Sequence, residues 1–305
     1  MSDYYGGLDC GGSTTRLLVV DADGQPVFQA TSGPANLSST PIGRIEKSLE
    51  TVACGCPPMR ALCGCFAGLL DEGQQQLAAE SLGKRFAAKK VIALPDYAAP
   101  LFAEGPTDRV CAIAGTGSLV ASYRPVPGQE MGLKSFRKSG GKGYLLGDEG
   151  SAFHFGRDAI AEYLGNPEQA SATLQDGIMA LFGPASPTEI TRAVYQSATP
   201  AALVAKMAPI LAKEARDGKE YALASVELHL SRLAEVIEEH AAVNKEDLGD
   251  TGILLAGGLW KISAIYRDGI SSQLSRIRTR KPIDLRFMKR ASVNGAVAIA
   301  RTYGD

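Results

Sequence analysis

An α/β protein built from two similar domains is the fold class that the sequence predicts, and three observations carry the prediction. The chain has 305 residues, a length that favours two domains over one. A buried strand, a glycine-rich turn and a second strand occur twice, with the turns at residues 11–14 and 115–118. Each hairpin opens a series in which apolar strands alternate with helical segments, as in α/β domains. The two halves share little residue identity, so the repeat lies in the pattern of elements.

The first half reads as strands separated by turn residues, with helices between the later strands. Short apolar runs bounded by glycine, proline or aspartate predict strands, and apolar positions at helical spacing predict helices. The predicted strands are residues 4–9, 15–21, 26–30, 61–66 and 91–94. The predicted helices are residues 42–52, 72–86 and 98–102.

The second half repeats this pattern and adds a helical region. The predicted strands are residues 110–114, 119–123, 251–256 and 283–287. Residues 149–244 are predicted to be mostly helical, with a long amphipathic helix over 221–242, and a last helix covers 291–302. The polar, glycine-rich segment 125–142 is predicted to be a mobile loop.

Composition and charge exclude several classes of function. Hydrophobic residues make up 45% and charged residues 21% of the chain, an ordinary globular balance. The 32 Lys and Arg nearly cancel the 33 Asp and Glu, so the basic excess typical of a nucleic-acid binder is missing. No apolar run reaches the roughly 20 residues that span a bilayer, and the N-terminus lacks the pattern of a signal peptide. We therefore expect a cytoplasmic protein without a membrane partner.

Four of the six cysteines form two C-x-C pairs, Cys54 with Cys56 and Cys63 with Cys65. Such patterns occur in metal and iron–sulfur sites. The second pair, however, lies in the predicted strand 61–66, where cysteine packs as a small apolar residue and alternation places both side chains on one face. We interpret the cysteines as structural, with a metal cluster as the alternative.

Several common motifs of nucleotide-binding proteins and hydrolases are missing. The chain has no G-x-x-x-x-G-K-[ST] phosphate loop and no G-x-S-x-G nucleophile elbow. The run from Gly141 to Gly147 has one residue too many for G-x-G-x-x-G and lacks its strand–turn–helix context. The 3 His show no paired metal-ligand spacing.

The two glycine-rich turns are the motifs that indicate phosphate binding. The first stands in the run Asp9-Cys10-Gly11-Gly12-Ser13-Thr14, and the second is Gly115-Thr116-Gly117-Ser118. Glycines let the backbone approach a ligand and present N–H groups to it, the hydroxyls add donors, and a carboxylate suits Mg²⁺. Each turn alone is equally typical of an ordinary hairpin. Two of them, each opening an α/β half, would hold a triphosphate from both sides.

Three further segments carry candidate residues, each with an ordinary structural alternative. Asp96 follows the strand 91–94, where it can accept a proton from a substrate hydroxyl or cap the next helix. Asp148 and Glu149 can receive sugar hydroxyls or assist a metal, or they can stabilise a helix N-terminus. Gly257 and Gly258 suit adenine packed on backbone, or form a plain tight turn.

Together and in this order, these segments resemble the actin-like, sugar kinase and Hsp70 superfamily. Within it, the chain is similar to the N-acetylglucosamine kinase branch of the BadF/BadG-type ATPase family. The resemblance runs from residue 5 to 301. It depends on residues 9–13, 32–36, 66–69, 114–118 and 140–151, of which the last segment is the most specific.

The resemblance implies two RNase H-like domains with a cleft between them, residues 1–108 with 290–305 and residues 109–289 with a helical insertion. It implies ATP and Mg²⁺ as cofactors and N-acetylglucosamine phosphorylated on its 6-hydroxyl, with Asp96 as general base and Asp9 assisting Mg²⁺. The implied ATP-binding residues are Gly11, Gly12, Ser13, Thr14, Gly115, Thr116, Gly117, Gly257 and Gly258. The implied sugar-binding residues are Asn36, Asp96, Ser118, Gly141, Gly143 and Asp148. A homodimer is compatible with the resemblance.

Departures from the family pattern bear on the substrate. Cys10 and Ser13 stand where glycine and threonine are usual, and Ser13 keeps the hydroxyl. Lys142 stands where relatives that take N-acetylglucosamine often have tryptophan, which leaves glucosamine open as the substrate. A lysine beside a cationic amine is repulsive, however.

Two alternatives belong to other classes: an ATPase activator with an iron–sulfur cluster, and a non-catalytic actin-like sugar sensor. We expect no DNA-binding domain, because the chain starts directly with the first predicted core strand.

Overall fold

The computed structural model describes residues 3–105 and 110–304, which form two compact units. Unit 1 consists of residues 3–105, Ser122–Arg137 and 288–304, and unit 2 consists of Val110–Ala121 and Lys138–Phe287. The predicted domain boundary at 108/109 lies outside the described residues, and the predicted boundary at 289/290 stays a prediction.

The sheet of unit 1 is an antiparallel meander extended by two parallel strands. Its strands are β1 (Tyr5–Cys10), β2 (Thr15–Val20), β3 (Pro26–Ser32), β4 (Met59–Phe66) and β5 (Ala88–Pro95). Their order across the sheet is β3-β2-β1-β4-β5. Because β1, β4 and β5 run parallel, their carboxyl ends meet at one edge, where Asp9 and Asp96 lie.

Helices cover both apolar sides of this sheet and close its core. They are α1 (Ile42–Ala53), α2 (Glu72–Arg85), α3 (Ala98–Ala103) and, at the end of the chain, α13 (Ser292–Tyr303). The last helix packs on β1 and α3 so closely that a Cβ at Gly7 would meet the backbone N of Val297, and one at Gly295 would meet the carbonyl of Ala99. Glycine at these two positions therefore permits the backbone contact.

The second sheet follows the same plan. Its strands are β6 (Val110–Ala114), β7 (Ser118–Tyr123), β8 (Phe136–Gly140), β9 (Ile253–Ala256) and β10 (Leu285–Phe287). Read from β8, their order is β8-β7-β6-β9-β10, which matches β3-β2-β1-β4-β5. As in the first sheet, the opening strand pairs antiparallel with the next strand and parallel with a later one. This confirms the predicted repeat of one α/β plan.

Nine helices are described in unit 2, and most lie in the predicted helical region. They are α4 (Ala152–Gly165), α5 (Ala172–Phe182), α6 (Pro187–Gln196), α7 (Pro200–Ala205), α8 (Ala208–Arg216), α9 (Glu220–Asn244), α10 (Leu248–Thr251), α11 (Leu259–Ile262) and α12 (Ala264–Leu274). Side chains such as Phe155, Leu211, Leu230 and Tyr266 are fully buried between them. Burial of this apolar surface stabilises the unit.

The predicted mobile loop over 125–142 is wrong in its second half. Leu133–Ser135 forms a single 3₁₀ turn, and Phe136–Gly140 is strand β8. The Leu133 backbone N donates to Gln75 Oε1 at 3.2 Å, which ties the segment to α2. The strand is short, polar and at a sheet edge, with only Phe136 buried, so it carries almost no hydrophobic alternation.

Across residues 3–105 and 110–304, no helix combines the length and the apolar character needed to cross a membrane.

Candidate functional site

The predicted site residues fall into two groups, one in each unit. Half-site 1 comprises Asp9, the turn 11–14, Asn36 and Asp96 of unit 1. Half-site 2 comprises the turn 115–118, Gly141, Gly143, Asp148, Gly257 and Gly258 of unit 2. Each group is brought together at the carboxyl ends of the strands in its own sheet.

The turn of half-site 1 is an open hairpin between β1 and β2. Cys10 pairs with Thr15 at the ends of the strands, and the Gly11 backbone N donates to the Thr14 carbonyl at 2.9 Å. Gly12 and Ser13 at the tip are exposed, and a Cβ at Gly12 would find its nearest neighbour, Asn36 Nδ2, at 3.8 Å. A ligand can therefore approach the backbone at the tip closely.

Asn36 is held beside this turn by backbone and side-chain hydrogen bonds. The Ala35 backbone N donates to the Gly11 carbonyl at 3.1 Å. Asn36 Oδ1 accepts from the backbone N of Ser38 at 2.9 Å, which fixes the side-chain amide as in an Asx turn. Gly68, at φ 74°, lies so near that a Cβ there would collide with Asn36 Oδ1. Gly68 thus shapes the site, and its only sequence signal is its place in the run 66–69.

Two carboxylates end the strands on either side of β4. Asp9 is the penultimate residue of β1, with Oδ2 4.0 Å from Arg16 Nη1, and burial raises the pKa of its carboxyl despite this guanidinium. Asp96 follows β5, and its backbone N donates to the Phe66 carbonyl at 3.0 Å. The Asp96 carbonyl accepts from the Ala99 backbone N at 3.3 Å in the first turn of α3, and both predicted roles of Asp96, proton acceptor and helix cap, stay predictions.

The turn of half-site 2 is braced by the first turn of α4. The carbonyls of Gly115 and Thr116 accept from the backbone N of Ala152 at 2.8 Å and of Phe153 at 3.3 Å. Ser118 Oγ donates to the Glu149 carbonyl at 2.6 Å. This hairpin is therefore fixed by neighbouring elements, whereas the described contacts of turn 11–14 are fewer.

Asp148 is the buried carboxylate of half-site 2. It has φ 61°, a left-handed conformation that is uncommon outside glycine, and is 8% exposed. Its Oδ1 accepts from the Gly143 backbone N at 3.2 Å, and a Cβ at Gly117 would collide with its Oδ2. Burial raises the pKa of Asp148. The N-cap of α4 is Ser151, so Asp148 turns toward the glycine loops rather than capping that helix.

The glycines of half-site 2 keep its backbone accessible. Gly141 and Gly143 have φ values of 62° and 86°. Gly257 has φ 102°, and a Cβ there would collide with the Ala114 carbonyl at the end of β6. A Cβ at Gly115 would lie 3.9 Å from the Gly258 backbone N. The glycine pair after β9 thus lies next to the turn 115–118. Gly257 is needed there both for its positive φ and because its backbone packs against the Ala114 carbonyl.

The cysteines follow the predicted strand geometry. Cys63 and Cys65 are buried on one face of β4 with their Sγ atoms 3.9 Å apart, as alternation predicts. Cys54 is exposed and Cys56 is half-buried, and burial raises the pKa of the Cys56 thiol to about 11. In the part of the chain that the structure describes, no three His, Cys, Asp or Glu side chains cluster as metal ligands would.

Comparison with known proteins identifies relatives along the whole chain. An N-acetylmuramic acid/N-acetylglucosamine kinase from Clostridium acetobutylicum is 26% identical, over 99% of both chains. A candidate N-acetylglucosamine kinase structure from Chromobacterium violaceum superimposes with a TM-score of 0.67 and 22% identity, over 97% of this chain and 98% of that one. A glucokinase of the ROK family from Streptomyces griseus, in complex with glucose and AMPPNP, gives a TM-score of 0.60 and 15% identity over 98% and 99%. No protein-family model matches the chain.

These similarities confirm two predictions. The fold is the doubled α/β fold of the actin-like ATPases and sugar kinases. The resemblance to N-acetylglucosamine kinases is borne out by a relative aligned along nearly the entire chain.

Proposed function

We propose that the protein is an ATP-dependent amino-sugar kinase that phosphorylates N-acetylglucosamine on its 6-hydroxyl. The carrying observation is the pair of glycine hairpins at equivalent places in two sheets of one plan, each beside a buried or half-buried carboxylate. Phosphoryl transfer needs phosphate-binding backbone, a cation and a proton acceptor more than it needs covalent chemistry. The chain supplies residues for each of these needs.

Half-site 1 would hold the reacting groups. The exposed tip at Gly12 and Ser13 would receive β- and γ-phosphate oxygens through backbone N–H groups and the hydroxyl. Asp9 fits a role near Mg²⁺, because burial raises the pKa of its carboxyl and, among the described residues, Arg16 at 4.0 Å is its one ion-pair partner. When bound, Mg²⁺ would neutralise phosphate charge. Asp96 would orient the sugar 6-hydroxyl and accept its proton.

Half-site 2 would bind the sugar and the far side of the nucleotide. Asp148 can accept hydrogen bonds from two sugar hydroxyls, because a carboxylate has lone pairs beyond the one that the Gly143 N–H uses. Thr116 and Gly117 would contact phosphate, and Gly257 with Gly258 would support the adenosine. Asn36 of half-site 1 would complete the sugar contacts.

A second substrate, N-acetylmuramic acid, is favoured by the charge of the loop at 138–147. The Clostridium relative is named for both sugars. Lys142 is exposed and forms no ion pair within residues 3–105 and 110–304. Burial raises the pKa of Asp148, and the nearby Lys138 ammonium opposes that rise. Ammonium groups here would attract the lactyl carboxylate of N-acetylmuramic acid and repel the free amine of glucosamine. We rank glucosamine third for that reason.

An ATP-consumption assay with Mg²⁺ tests the proposal. It compares no sugar, N-acetylglucosamine, N-acetylmuramic acid, glucosamine and glucose, and phosphorus NMR of the product identifies the modified hydroxyl. Sugar-dependent turnover with a 6-phosphate product is expected. ATP consumption without any sugar would favour the activator, and ATP binding without turnover would favour the sensor. The homodimer and the cytoplasmic location stay predictions.

A further inference from the structure

A polar network, half-buried at Asp158 and buried at Ser225 and His229, links two helices behind half-site 2. Asp158 of α4 accepts on Oδ2 from Ser225 Oγ at 2.7 Å, and the same oxygen lies 2.7 Å from His229 Nε2. Both partners come from α9, and His229 is 2% exposed. Arg157 donates to the other oxygen, Oδ1, at 2.8 Å. The carboxylate thus has partners on both oxygens, and the imidazole of His229 is held in one orientation.

A series of contacts leads from His229 to the turn that contains Asp148. The His229 ring stacks on His154, with centroids 5.0 Å apart and planes 13° from parallel. The His154 backbone N donates to the Ser151 carbonyl at 3.1 Å, and the Ser151 backbone N donates to the Asp148 carbonyl at 3.1 Å. A second contact is independent of the rings: a Cβ at Gly150 would lie 3.0 Å from the His229 carbonyl. The backbone of α9 at His229 therefore packs directly on the turn after Asp148.

We propose that His229, fixed by Asp158 and Ser225, is a positioning residue that holds Asp148 in its left-handed conformation for sugar binding. The inference rests on the proposed function. A residue in the left-handed region keeps that conformation only when its surroundings impose it. The Asp158 carboxylate has hydrogen-bond partners on both oxygens and can therefore hold His229 in place, and outer partners of this kind fix the orientation of the groups that bind ligand.

The competing explanation is that the network only joins α4 to α9. An apolar pair of similar volume would then serve as well. The two explanations predict different effects of a substitution: a joint between helices affects stability alone, whereas a positioning residue also affects the affinity for the sugar.

The chain offers two serines for the test, of which Ser171 also caps α5 by accepting from the Leu174 backbone N at 3.0 Å. Ser225 Oγ donates to Asp158, and Ser171 Oγ donates to the buried Glu214 at 2.6 Å elsewhere in unit 2. Ser225→Ala and Ser171→Ala each remove one hydroxyl from a carboxylate. We compare them with His229→Leu and with His229→Gln, which keeps an N–H donor. The readouts are KM for N-acetylglucosamine, KM for ATP, Tm, and amide exchange of residues 143–151 in the free protein.

We expect His229→Leu to raise the sugar KM by about tenfold, with the ATP KM unchanged and His229→Gln partly restoring the sugar KM. Ser225→Ala should raise the sugar KM less and speed exchange over 143–151, while Ser171→Ala should lower Tm without either effect. Equal behaviour of the two serine variants in sugar KM and exchange overturns the inference. Should His229→Leu not fold, the serine pair and His229→Gln decide. Amide exchange is measured in the free protein and does not depend on sugar turnover. A failure of the proposed function can therefore be told apart from a failure of this inference.

Discussion

The two glycine hairpins share one strand–turn–strand plan but differ in what surrounds the turn. In the turn 11–14, the backbone bond from Gly11 to Thr14 closes an exposed tip, and one bond from a neighbouring segment, from the Ala35 backbone N to the Gly11 carbonyl, holds its base. In the turn 115–118, three hydrogen bonds from or to neighbouring residues fix the turn, and a buried carboxylate lies against Gly117. The glycine turn is thus exposed in unit 1, whereas in unit 2 it is held by hydrogen bonds to neighbouring residues. This difference suits a half-site that meets the changing phosphate and a half-site that recognises a fixed sugar.

Of the substitutions that test this comparison, Asp96→Asn in half-site 1 should have the largest effect on turnover. If Asp96 is the proposed general base, its loss should lower turnover by about 10²–10⁴-fold, because the acceptor hydroxyl of the sugar would then have no proton acceptor. The measurements are kcat and ATP affinity by calorimetry, and we expect the affinity to be nearly unchanged. Asp23→Asn, at an exposed turn of unit 1, is the control. Near-normal turnover in Asp96→Asn would remove Asp96 from this role and move the chemistry away from half-site 1.

A pair of alanine substitutions should separate the open turn from the braced one. Gly117→Ala drives a methyl into the Asp148 carboxylate, and overpacking of this kind costs about 1–3 kcal/mol of stability. Gly12→Ala meets its nearest atom at 3.8 Å, so the free protein should melt at the wild-type temperature while ATP affinity falls. Thermal denaturation with and without ATP measures both effects. Equal melting temperatures in the two variants would contradict the contrast between the turns.

Half-site 1 could be predicted from the sequence more fully than half-site 2. Asp9 lies at the end of β1, and the turn 11–14 and Asp96 follow β1 and β5, whose apolar runs are clear, so their places could be predicted from the order of elements alone. Strand β8 escaped prediction, because its polar edge sequence lacks alternation. The left-handed conformation of Asp148 and the stacking of His229 on His154 could not be predicted. The stacking joins α4 to α9, which are distant in sequence, and no local pattern encodes such a contact.

Acidification should affect unit 2 before unit 1, because all 3 His of the chain lie in unit 2. Burial lowers the pKa of His154 and of His240 to about 4, from a usual value of 6.5. Since the unfolded chain binds these protons more tightly, the stability from the neutral rings is complete above pH 6.5 and is lost as pH falls toward 4. The raised pKa of Asp148 acts in the opposite direction and offsets part of the loss.

Trp260 makes this effect measurable. It is the one tryptophan in the chain, 3% exposed and within unit 2, so its fluorescence during heating reports on that unit. We expect its transition temperature to fall between pH 6.5 and 4, and the His240→Gln variant to show a smaller fall. A transition temperature that stays constant over this range would show that the buried imidazoles are not the acid-sensitive groups.

The smallest effect should come from the first cysteine pair of unit 1. Cys54 is exposed at the C-cap of α1 and Cys56 follows in the loop, and neither contacts a residue of half-site 1 in the described hydrogen bonds. A substitution at the exposed Cys54 changes stability by about 0.5 kcal/mol or less, whereas the half-buried Cys56 packs against the core of unit 1 and its substitution should cost somewhat more. The double variant Cys54→Ser/Cys56→Ser should therefore keep wild-type turnover with a small fall in Tm, with Arg44→Ala on the exposed face of α1 as a control. Loss of turnover together with visible thiolate–iron absorbance in the wild-type protein would instead favour the activator, since a cluster ligand cannot be replaced by serine without consequence. Unchanged turnover would show that Cys54 and Cys56 are not needed for activity, as expected if the carboxylates and the glycine turn of half-site 1 provide the function of unit 1.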